Sequence, residues 1–247
     1  MSSVAALAHP AATADRLRRA VRRYGVKGTL REAGRLARTY RGRRRWERLD
    51  REFDARYGVD TAGIVRLHDL TFESENKQLG NRYEATTPDG FRALLGGLDV
   101  GDHEQIFIDL GSGKGRALLL ASEFPFKRVV GVEFSPELHE VAERNVERFD
   151  SPEQRCREFD LVCMDAARYE LPDEPTLLYI YNAFEEPVMR AVLENVRRSL
   201  ETSPRPLTMV IANRHYSLDA LAAAGFVPVD DGAGEVFAFQ PTVASRA

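Results

Sequence analysis

The sequence predicts an α/β domain built on a mostly parallel sheet, and three observations support this prediction. Five short apolar runs rich in β-forming residues recur along the chain. Segments with helical periodicity separate these runs, which is the pattern of repeated βαβ units. The first run, Ile106–Leu110, leads through a glycine-rich turn into the helix-forming residues 116–121, which is how such a unit begins.

Charge divides the 247-residue chain into two parts. Residues 1–50 contain thirteen Arg and one Lys against four acidic residues, so their net charge is +10, while the whole chain carries −3. The remainder therefore carries −13. We predict a basic helical N-terminal arm over residues 1–56, a connecting and covering segment over residues 57–100, and the main domain over residues 101–247.

The basic arm has more than one possible role. Arginine-rich helices bind anionic macromolecules or membrane surfaces, and they also pack as solvated caps on the domain that follows. An Arg-rich and acid-poor beginning also resembles an organelle transit peptide. The sequence leaves these alternatives open.

The composition argues against several classes of protein. No apolar run approaches the length of about 18 residues that spans a membrane. Cys156 and Cys163 have neither metal-ligand nor disulfide spacing, so no metal site is predicted. Cys163 is expected to be buried within its apolar run. No positively charged segment precedes the alanine-rich start, which argues against a secretory signal, and we expect a cytoplasmic protein.

The glycine-rich turn after the first strand distinguishes between nucleotide ligands. The dinucleotide fingerprint needs glycine where this chain has Arg116, and the P-loop needs Ser or Thr where it has Gly115. Asp109 precedes the turn, where its charge would repel a pyrophosphate and attract the sulfonium and ammonium groups of S-adenosylmethionine. A second acid, Glu133, ends the next strand, at a place where carboxylates bind ribose hydroxyls.

Three motifs together carry a resemblance to a known family. The segments Asp109-Leu-Gly-Ser-Gly-Lys-Gly115, Gly131-Val-Glu133 and Asp165-Ala166 resemble the class I S-adenosylmethionine-dependent methyltransferases. The resemblance covers residues 83–240, and its first motif is similar in form to the non-SET histone lysine methyltransferases. It implies a Rossmann-like three-layer sandwich in which a seven-stranded, mostly parallel sheet ends with an antiparallel strand.

The same resemblance implies a function. It implies an enzyme that uses S-adenosyl-L-methionine to methylate a protein lysine or another amine. A small-molecule or RNA methyltransferase on the same scaffold is one alternative, and a binding module without turnover is another.

The resemblance also assigns residues to the cofactor at the ends of the strands. Phe134 is placed against the adenine and Asp165 near the adenine amine, although a core phenylalanine and a turn aspartate are the plain alternatives. The complete set of predicted cofactor-binding residues is Asp109, Gly111, Ser112, Gly113, Gly115, Glu133, Phe134, Asp165, Ala166 and Asn182.

The predicted acceptor site combines the end of the fourth strand with residues that precede the first strand. By resemblance, Asn182 orients the nucleophile and Tyr83 is the second catalytic candidate. The substrate candidates are Glu84, Thr86, Tyr181 and Phe184. The pattern departs from that of nucleobase and glutamine methyltransferases, because Ala183 replaces their prolines. His215, after the fifth strand, is a candidate general base, although an isolated histidine at such a place is more often structural.

Overall fold

A mostly parallel sheet lies at the centre of the computed structural model, which describes residues 45–71, 76–98, 100, 103–212, 218–229 and 236–239. The described strands are β1 (Ile64–Val65), β2 (Tyr83–Glu84), β3 (Ile106–Leu110), β4 (Arg128–Glu133), β5 (Phe159–Cys163), β6 (Thr176–Tyr181), β7 (Leu207–Ala212), β8 (Phe226–Pro228) and β9 (Val236–Phe239). Seven of them form one sheet in the order β5-β4-β3-β6-β7-β9-β8. Strands β3 to β7 pair in parallel, and β9 is antiparallel to both β7 and β8. The predicted fold class is therefore confirmed.

Helices cover both faces of this sheet. They are α1 (residues 45–57), α2 (Pro88–Gly96), α3 (Arg116–Ala121), α4 (Pro136–Arg148), α5 (Glu186–Thr202) and α6 (Leu218–Ala223). Alternate residues of β3 enter different cores, because successive side chains of a strand point to opposite faces. Ile106 and Ile108 pack in the cluster that includes α5, whereas Phe107 packs in the cluster that includes α2 and α3.

The chain divides into two compact units, Met1–Leu49 and Asp50–Ala247. In the first unit, the described residues 45–49 are helical. The second unit includes residues 50–56, which the sequence analysis assigned to the basic arm. Residues 1–44 of that arm, and His215, lie outside the described residues.

The connecting segment is more ordered than its polar, irregular sequence indicates. It contains two short 3-10 helices, Leu67–Asp69 and Lys77–Leu79, and its strands β1 and β2 pair antiparallel in a small separate sheet. This pairing places Tyr83 opposite Val65 and Glu84 opposite Ile64.

One burial prediction is wrong. Cys163 is exposed, whereas Cys156 is buried. The apolar run that ends in Cys163 forms β5, which lies at the edge of the main sheet in the described residues and is only partly covered. An apolar run shows that a strand is present, but its place in the sheet decides which side chains are buried.

None of the helices in the described part of the chain has the length and apolar character needed to cross a lipid bilayer.

Candidate functional site

A cavity open to solvent lies where β3, β4 and β6 end. Ligands of open α/β sheets bind at this edge because the strands diverge there. Among the described residues, every predicted site residue except Gly115 lines the cavity. Those that do are Tyr83, Glu84, Thr86, Asp109, Gly111, Ser112, Gly113, Glu133, Phe134, Asp165, Ala166, Tyr181, Asn182 and Phe184.

The glycine turn forms one wall of the cavity, and two of its glycines cannot carry a side chain. Gly111 and Gly113 have φ angles of 91° and 54°, a left-handed region that favours glycine. A Cβ on Gly111 would lie 2.3 Å from the Ala183 Cβ, and one on Gly113 would lie 2.2 Å from the Tyr83 ring. The turn therefore brings bare backbone to the cavity.

Gly115 does not line the cavity, and its predicted contact with the cofactor stays a prediction. It begins α3 with a φ of 86°, and a Cβ there would lie 3.3 Å from the Ala142 side chain. Its requirement for glycine comes from this backbone conformation and from the close packing of α3 on α4.

Two buried carboxyl groups occupy the floor of the cavity. Asp109 and Glu133 are each 3% exposed. Glu133 accepts hydrogen bonds from the Gly113 and Ser135 amides, both at 2.8 Å. Burial raises the pKa of Glu133 to about 7, although the hydrogen bonds from backbone amides act in the opposite direction. Burial, and then the charge of Glu133, raise the pKa of Asp109 well above its usual range.

The end of the cavity beyond Glu133 contains Phe134, Asp165 and Ala166. Asp165 accepts hydrogen bonds from the Ala167 amide at 2.9 Å and from the Asn76 side chain at 2.6 Å. It therefore also caps the short 3-10 helix that begins at Ala166, which is the turn role that the sequence left open.

Asn182 lies directly after β6 and holds an uncommon backbone conformation. Its φ is 46°, which costs an L-residue free energy, although asparagine tolerates it better than most residues do. Its side-chain oxygen accepts a hydrogen bond of 3.2 Å from Asn81. Residues in such conformations concentrate at functional sites, where the surrounding structure holds them in place.

Residues 79–81 pair with residues 183–185 and cover this end of the cavity. The Asn81 amide donates to the Ala183 carbonyl at 2.9 Å, and the Glu185 amide donates to the Leu79 carbonyl at 2.7 Å. Phe184 is buried at this contact, and Tyr181 is half-buried beside it. The covering segment is therefore fixed to the same loop that carries Asn182.

The predicted catalytic residue Tyr83 contributes its ring to the cavity more than its hydroxyl. The hydroxyl donates a 2.6 Å hydrogen bond to the Thr61 carbonyl, and the ring lies on Gly113. Burial raises the pKa of Tyr83 above its usual range, so the phenol stays protonated at neutral pH. This geometry suits a wall of the cavity and does not suit a general base.

The substrate candidates Glu84 and Thr86 lie close to Tyr83 in the chain, and only Glu84 is charged. Glu84 forms an ion pair with Arg82, with 2.9 Å between Arg82 Nη2 and Glu84 Oε2. Thr86 is buried and accepts a hydrogen bond of 3.3 Å from the Tyr179 hydroxyl.

Sequence reasoning missed Arg116, Asn81 and Thr61. Arg116 lines the cavity and is 1% exposed, with Asp50 and Asp54 as carboxylate partners. A signal for it existed, since it is the one charged residue in the otherwise apolar helix sequence Arg-Ala-Leu-Leu-Leu-Ala. No comparable signal marked Asn81 and Thr61, because their partners are 101 and 22 residues away.

The residues 107–203 match the family model described as a methyltransferase domain. This segment carries the glycine turn, both buried acids and Asn182. The seven-stranded unit that contains this segment has the fold of a class I methyltransferase domain. The order of strands in the sheet agrees with this assignment, and the domain uses S-adenosylmethionine as its methyl donor. The family model does not test the narrower resemblance to the non-SET histone lysine methyltransferases, which stays a prediction.

Several solved structures are similar to the chain at low identity. The YcgJ protein of Bacillus subtilis aligns with a TM-score of 0.44 and 16% identity over 56% of this chain and 69% of its own. Precorrin-6y C5,15-methyltransferase from Geobacter metallireducens aligns with 0.44 and 18% over 65% and 79%. The glycopeptide N-methyltransferase MtfA, complexed with sinefungin, aligns with 0.41 and 18% over 59% and 56%. No curated protein matches the sequence, and similarity this low indicates no methyl acceptor.

The donor end of the methyltransferase cavity fits the charge of S-adenosylmethionine. Asp109 Oδ1 is buried and has no hydrogen-bond partner, so a cationic ligand group beside it would offset the cost of its burial. Glu133 accepts backbone hydrogen bonds from Gly113, Ser135 and Phe134, and a carboxylate with about four acceptor sites keeps one for a ribose hydroxyl. The described residues contain no cluster of three metal-ligating His, Cys, Asp or Glu side chains.

Proposed function

We propose that the domain methylates an amine nitrogen, with a protein lysine side chain as the first candidate. The observation that carries this proposal is the position of Asn182. Its carboxamide lines the cavity after β6, in a left-handed backbone conformation and with its oxygen hydrogen-bonded to Asn81. An amide oxygen accepts a hydrogen bond from an amine N–H and so can aim the nitrogen lone pair. Bound S-adenosylmethionine supplies the electrophilic methyl group.

The ionisable residues around the cavity favour nitrogen over oxygen as the acceptor atom. A hydroxyl acceptor must lose a proton to a base, but no His or Lys is present among the described residues that line the cavity. Glu84 is paired with Arg82, and Asp109 and Glu133 lie at the donor end. A neutral amine needs only alignment, and positioning alone supplies up to about 7–11 kcal/mol of a barrier.

The walls of the cavity support an amine in its neutral form. Tyr83, Tyr181 and Phe184 present aromatic rings near Asn182, and Phe184 is buried. Burial disfavours the charged form of an ammonium group, so its pKa falls on entry and the lone pair becomes available. The long, unbranched side chain of lysine would reach such a site while its backbone stays outside.

The basic arm supports a macromolecular acceptor or partner. Residues 1–50 carry a net charge of +10, which attracts an anionic surface at low ionic strength. Arginine, which dominates the arm, makes bidentate contacts with carboxylate and phosphate groups. In this proposal the arm recruits the acceptor and Asn182 aligns it.

The test is to identify which molecules become labelled. Purified protein is incubated with methyl-labelled S-adenosylmethionine and a cell extract, and portions are treated with protease, ribonuclease or a size filter. The Asn182→Gly variant is the control, since it removes the amide without straining the backbone. Protease-sensitive label that yields methyllysine on hydrolysis supports the proposal. Label that is sensitive to ribonuclease or passes the filter overturns the protein acceptor in favour of RNA or a small molecule.

A further inference from the structure

Residues 50–62, called the strap here, lie against the glycine turn although they precede it by some 50 residues. The strap consists of α1 from Asp50 onward and the loop that follows it. Within the loop, Thr61 is fully buried, and Asp54 accepts hydrogen bonds from the Thr61 and Ala62 amides at 2.9 and 2.6 Å. The loop is therefore folded on α1 through one carboxylate.

Arg116 joins the strap to the first turn of α3. Its Nη1 lies 2.8 Å from Asp50 Oδ1, and its Nη2 lies 3.3 Å from Asp54 Oδ1. The guanidinium also lies over the Phe53 ring, 4.5 Å from its centroid. Three residues of α1 thus surround one buried cation that begins the helix after the glycine turn.

The same guanidinium holds Thr61 by a directed chain of hydrogen bonds. Arg116 Nε donates to the Thr61 hydroxyl, and that hydroxyl donates to Asp54 Oδ1 at 2.6 Å. Because the hydroxyl both accepts and donates, its orientation is fixed.

Asn145 on α4 holds the strap from the other side. Its amide nitrogen donates to the Asp60 carbonyl at 2.9 Å and to the Lys114 carbonyl at 2.8 Å, and its oxygen accepts from the Asp60 amide at 2.8 Å. Lys114, within the glycine turn, reaches back to Asp60 at 2.8 Å. The strap is therefore attached to both flanks of the turn.

The strap ends in a contact with the donor site. The Thr61 carbonyl accepts the Tyr83 hydroxyl at 2.6 Å, and the Tyr83 ring lies on Gly113. The Gly113 amide then donates to Glu133 at 2.8 Å. A continuous path of contacts runs from Arg116 through Thr61, Tyr83 and Gly113 to the carboxylate at the donor end.

We propose that Arg116 is a positioning residue for the methyl donor, which acts by holding Thr61 so that Tyr83 presses Gly113 into its hydrogen bond with Glu133. The strap is then part of the donor site and not only a cap on the fold. This inference rests on donor binding and does not depend on the amine acceptor proposed above.

The primary test uses Thr61→Val, which removes the hydroxyl and keeps the shape and the carbonyl. Thr176→Val is the matched control, because Thr176 is also fully buried and hydrogen-bonded, at 2.7 Å to the Glu174 carbonyl, at the opposite end of β6. Affinity for S-adenosylhomocysteine is measured by calorimetry between pH 6 and 8, and thermal stability is measured on the same samples. Arg116→Lys, which keeps the charge and loses Nε, is the second variant, with Arg92→Lys as its control.

We expect Thr61→Val and Arg116→Lys to weaken binding about tenfold, the loss that corresponds to one buried hydrogen bond. The pH midpoint of binding should also move upward by about half a unit or more, because a weaker Gly113 bond leaves the Glu133 carboxylate less stabilised. Among the described residues, the titratable neighbours of Glu133 are Asp109 on β3 and Cys163 on β5, and no variant changes them. Thr176→Val and Arg92→Lys should lower the melting temperature without changing either binding quantity.

A double-mutant cycle completes the test. In a Tyr83→Phe background, Thr61→Val should cause almost no further loss of affinity, because the hydroxyl that links Thr61 to the donor site is already absent. Additive losses would overturn the proposal. It would equally be overturned if Thr61→Val lost stability as Thr176→Val does while its affinity and pH midpoint stayed at the wild-type values.

Discussion

The donor and acceptor halves of the cavity are assembled in different ways. The donor half consists of two consecutive strand ends, and its central hydrogen bond, from Gly113 to Glu133, spans 20 residues. The acceptor half joins residues 79–86 to residues 179–185, and its bonds from Asn81 to Asn182 and from Tyr179 to Thr86 span 101 and 93 residues. The central hydrogen bond of the donor half therefore joins two successive βα turns, with the strap as a more distant support, whereas the bonds of the acceptor half join segments that are far apart in the chain.

The donor and acceptor halves also differ in the chemical groups that they present. The donor half is a buried pair of carboxyl groups under bare glycine backbone, which suits a cationic ligand of fixed shape. The acceptor half is half-buried at Tyr181 and Asn182 and presents neutral amides and aromatic rings. Changes in the donor half should therefore alter binding of the methyl donor, and changes in the acceptor half should alter turnover.

The largest effect is a loss of donor affinity, and it is expected from a substitution of Gly113 in the donor half. In Gly113→Ala the new methyl group would lie 2.2 Å from the Tyr83 ring at a φ of 54°, so the ring or the turn must move. Overpacking and backbone strain of this kind cost roughly 2–4 kcal/mol, which corresponds to about 30-fold to 1000-fold in donor affinity if the turn moves. Calorimetry with S-adenosylmethionine measures this loss.

Gly96→Ala is the matched control for that variant. Gly96 ends α2, has a negative φ, and a Cβ there meets no atom within 4 Å. Its donor affinity should equal that of the wild type. If Gly113→Ala also bound the donor normally, the close contact between the turn and Tyr83 would not exist in solution.

The second largest effect is a loss of turnover, and it is expected from changes at Asn182 in the acceptor half. Asn182→Ala and Asn182→Gly should both lower kcat about 10-fold to 100-fold, because each removes the amide that aligns the nucleophile. Donor affinity should change less than about threefold, since Asp109 and Glu133 are untouched.

Comparing the two variants separates the side chain from the backbone. Glycine relieves the left-handed φ of 46° and alanine does not, so Asn182→Gly should be the more stable protein by about 1 kcal/mol. A kcat that recovered in the glycine variant would assign the effect to backbone strain instead of to the amide.

The way each half is assembled explains what the sequence could predict. The acids and glycines of the donor half lie within two βα turns, so their spacing alone predicted a cavity lined by Asp109, Gly113 and Glu133. The resemblance to class I methyltransferases also implied that Asn182, after β6, would face this cavity. Asn81 could not be found, because nothing local shows that residues 79–81 pair with residues 183–185.

Two other failures have the same physical origin. Asp50 and Asp54 belonged to an apparently basic arm by composition, yet they are the partners of a buried arginine more than 60 residues away. Cys163 belongs to an apolar run that became an edge strand. In both cases the burial of the side chain depends on segments that are close in space but distant in the sequence, so local sequence patterns could not predict it.

A smaller effect is the change of protein stability with pH, which comes from the donor half of the cavity and not from the acceptor half. Native Glu133 holds its proton up to pH about 7, whereas the ordinary glutamate pKa is 4.5. Since the native state then binds more protons than the unfolded state, the stability of the ligand-free protein should fall as pH rises through 7. For Glu133 alone the free energy of unfolding should drop by about 1.4 kcal/mol between pH 6 and 8.

Denaturant unfolding at several pH values measures this slope. Glu133→Gln should reduce it, leaving the part that comes from Asp109, whose pKa is also raised by burial. Asn182→Gly should keep the wild-type slope, because no titrating group is removed. An unchanged slope in Glu133→Gln would mean that Glu133 is already ionised in the native protein.

The smallest effect on the donor is expected from removing the first 44 residues. The hydrogen bonds from Arg116 and Asn145 that hold the strap to the glycine turn end on Asp50, Asp54 and Asp60, which this deletion keeps. Donor affinity should therefore stay within about twofold of the full chain, because distant changes without shared partners act independently. Capture of an anionic macromolecular acceptor should fall, most clearly at low salt, since the deleted residues carry most of the arm's charge.

Deleting residues 1–62 instead removes the strap and should abolish donor binding. A protein lacking only residues 1–44 that lost donor binding would show that the arm completes the donor site, and the division between a recruiting arm and a donor-binding body would be wrong.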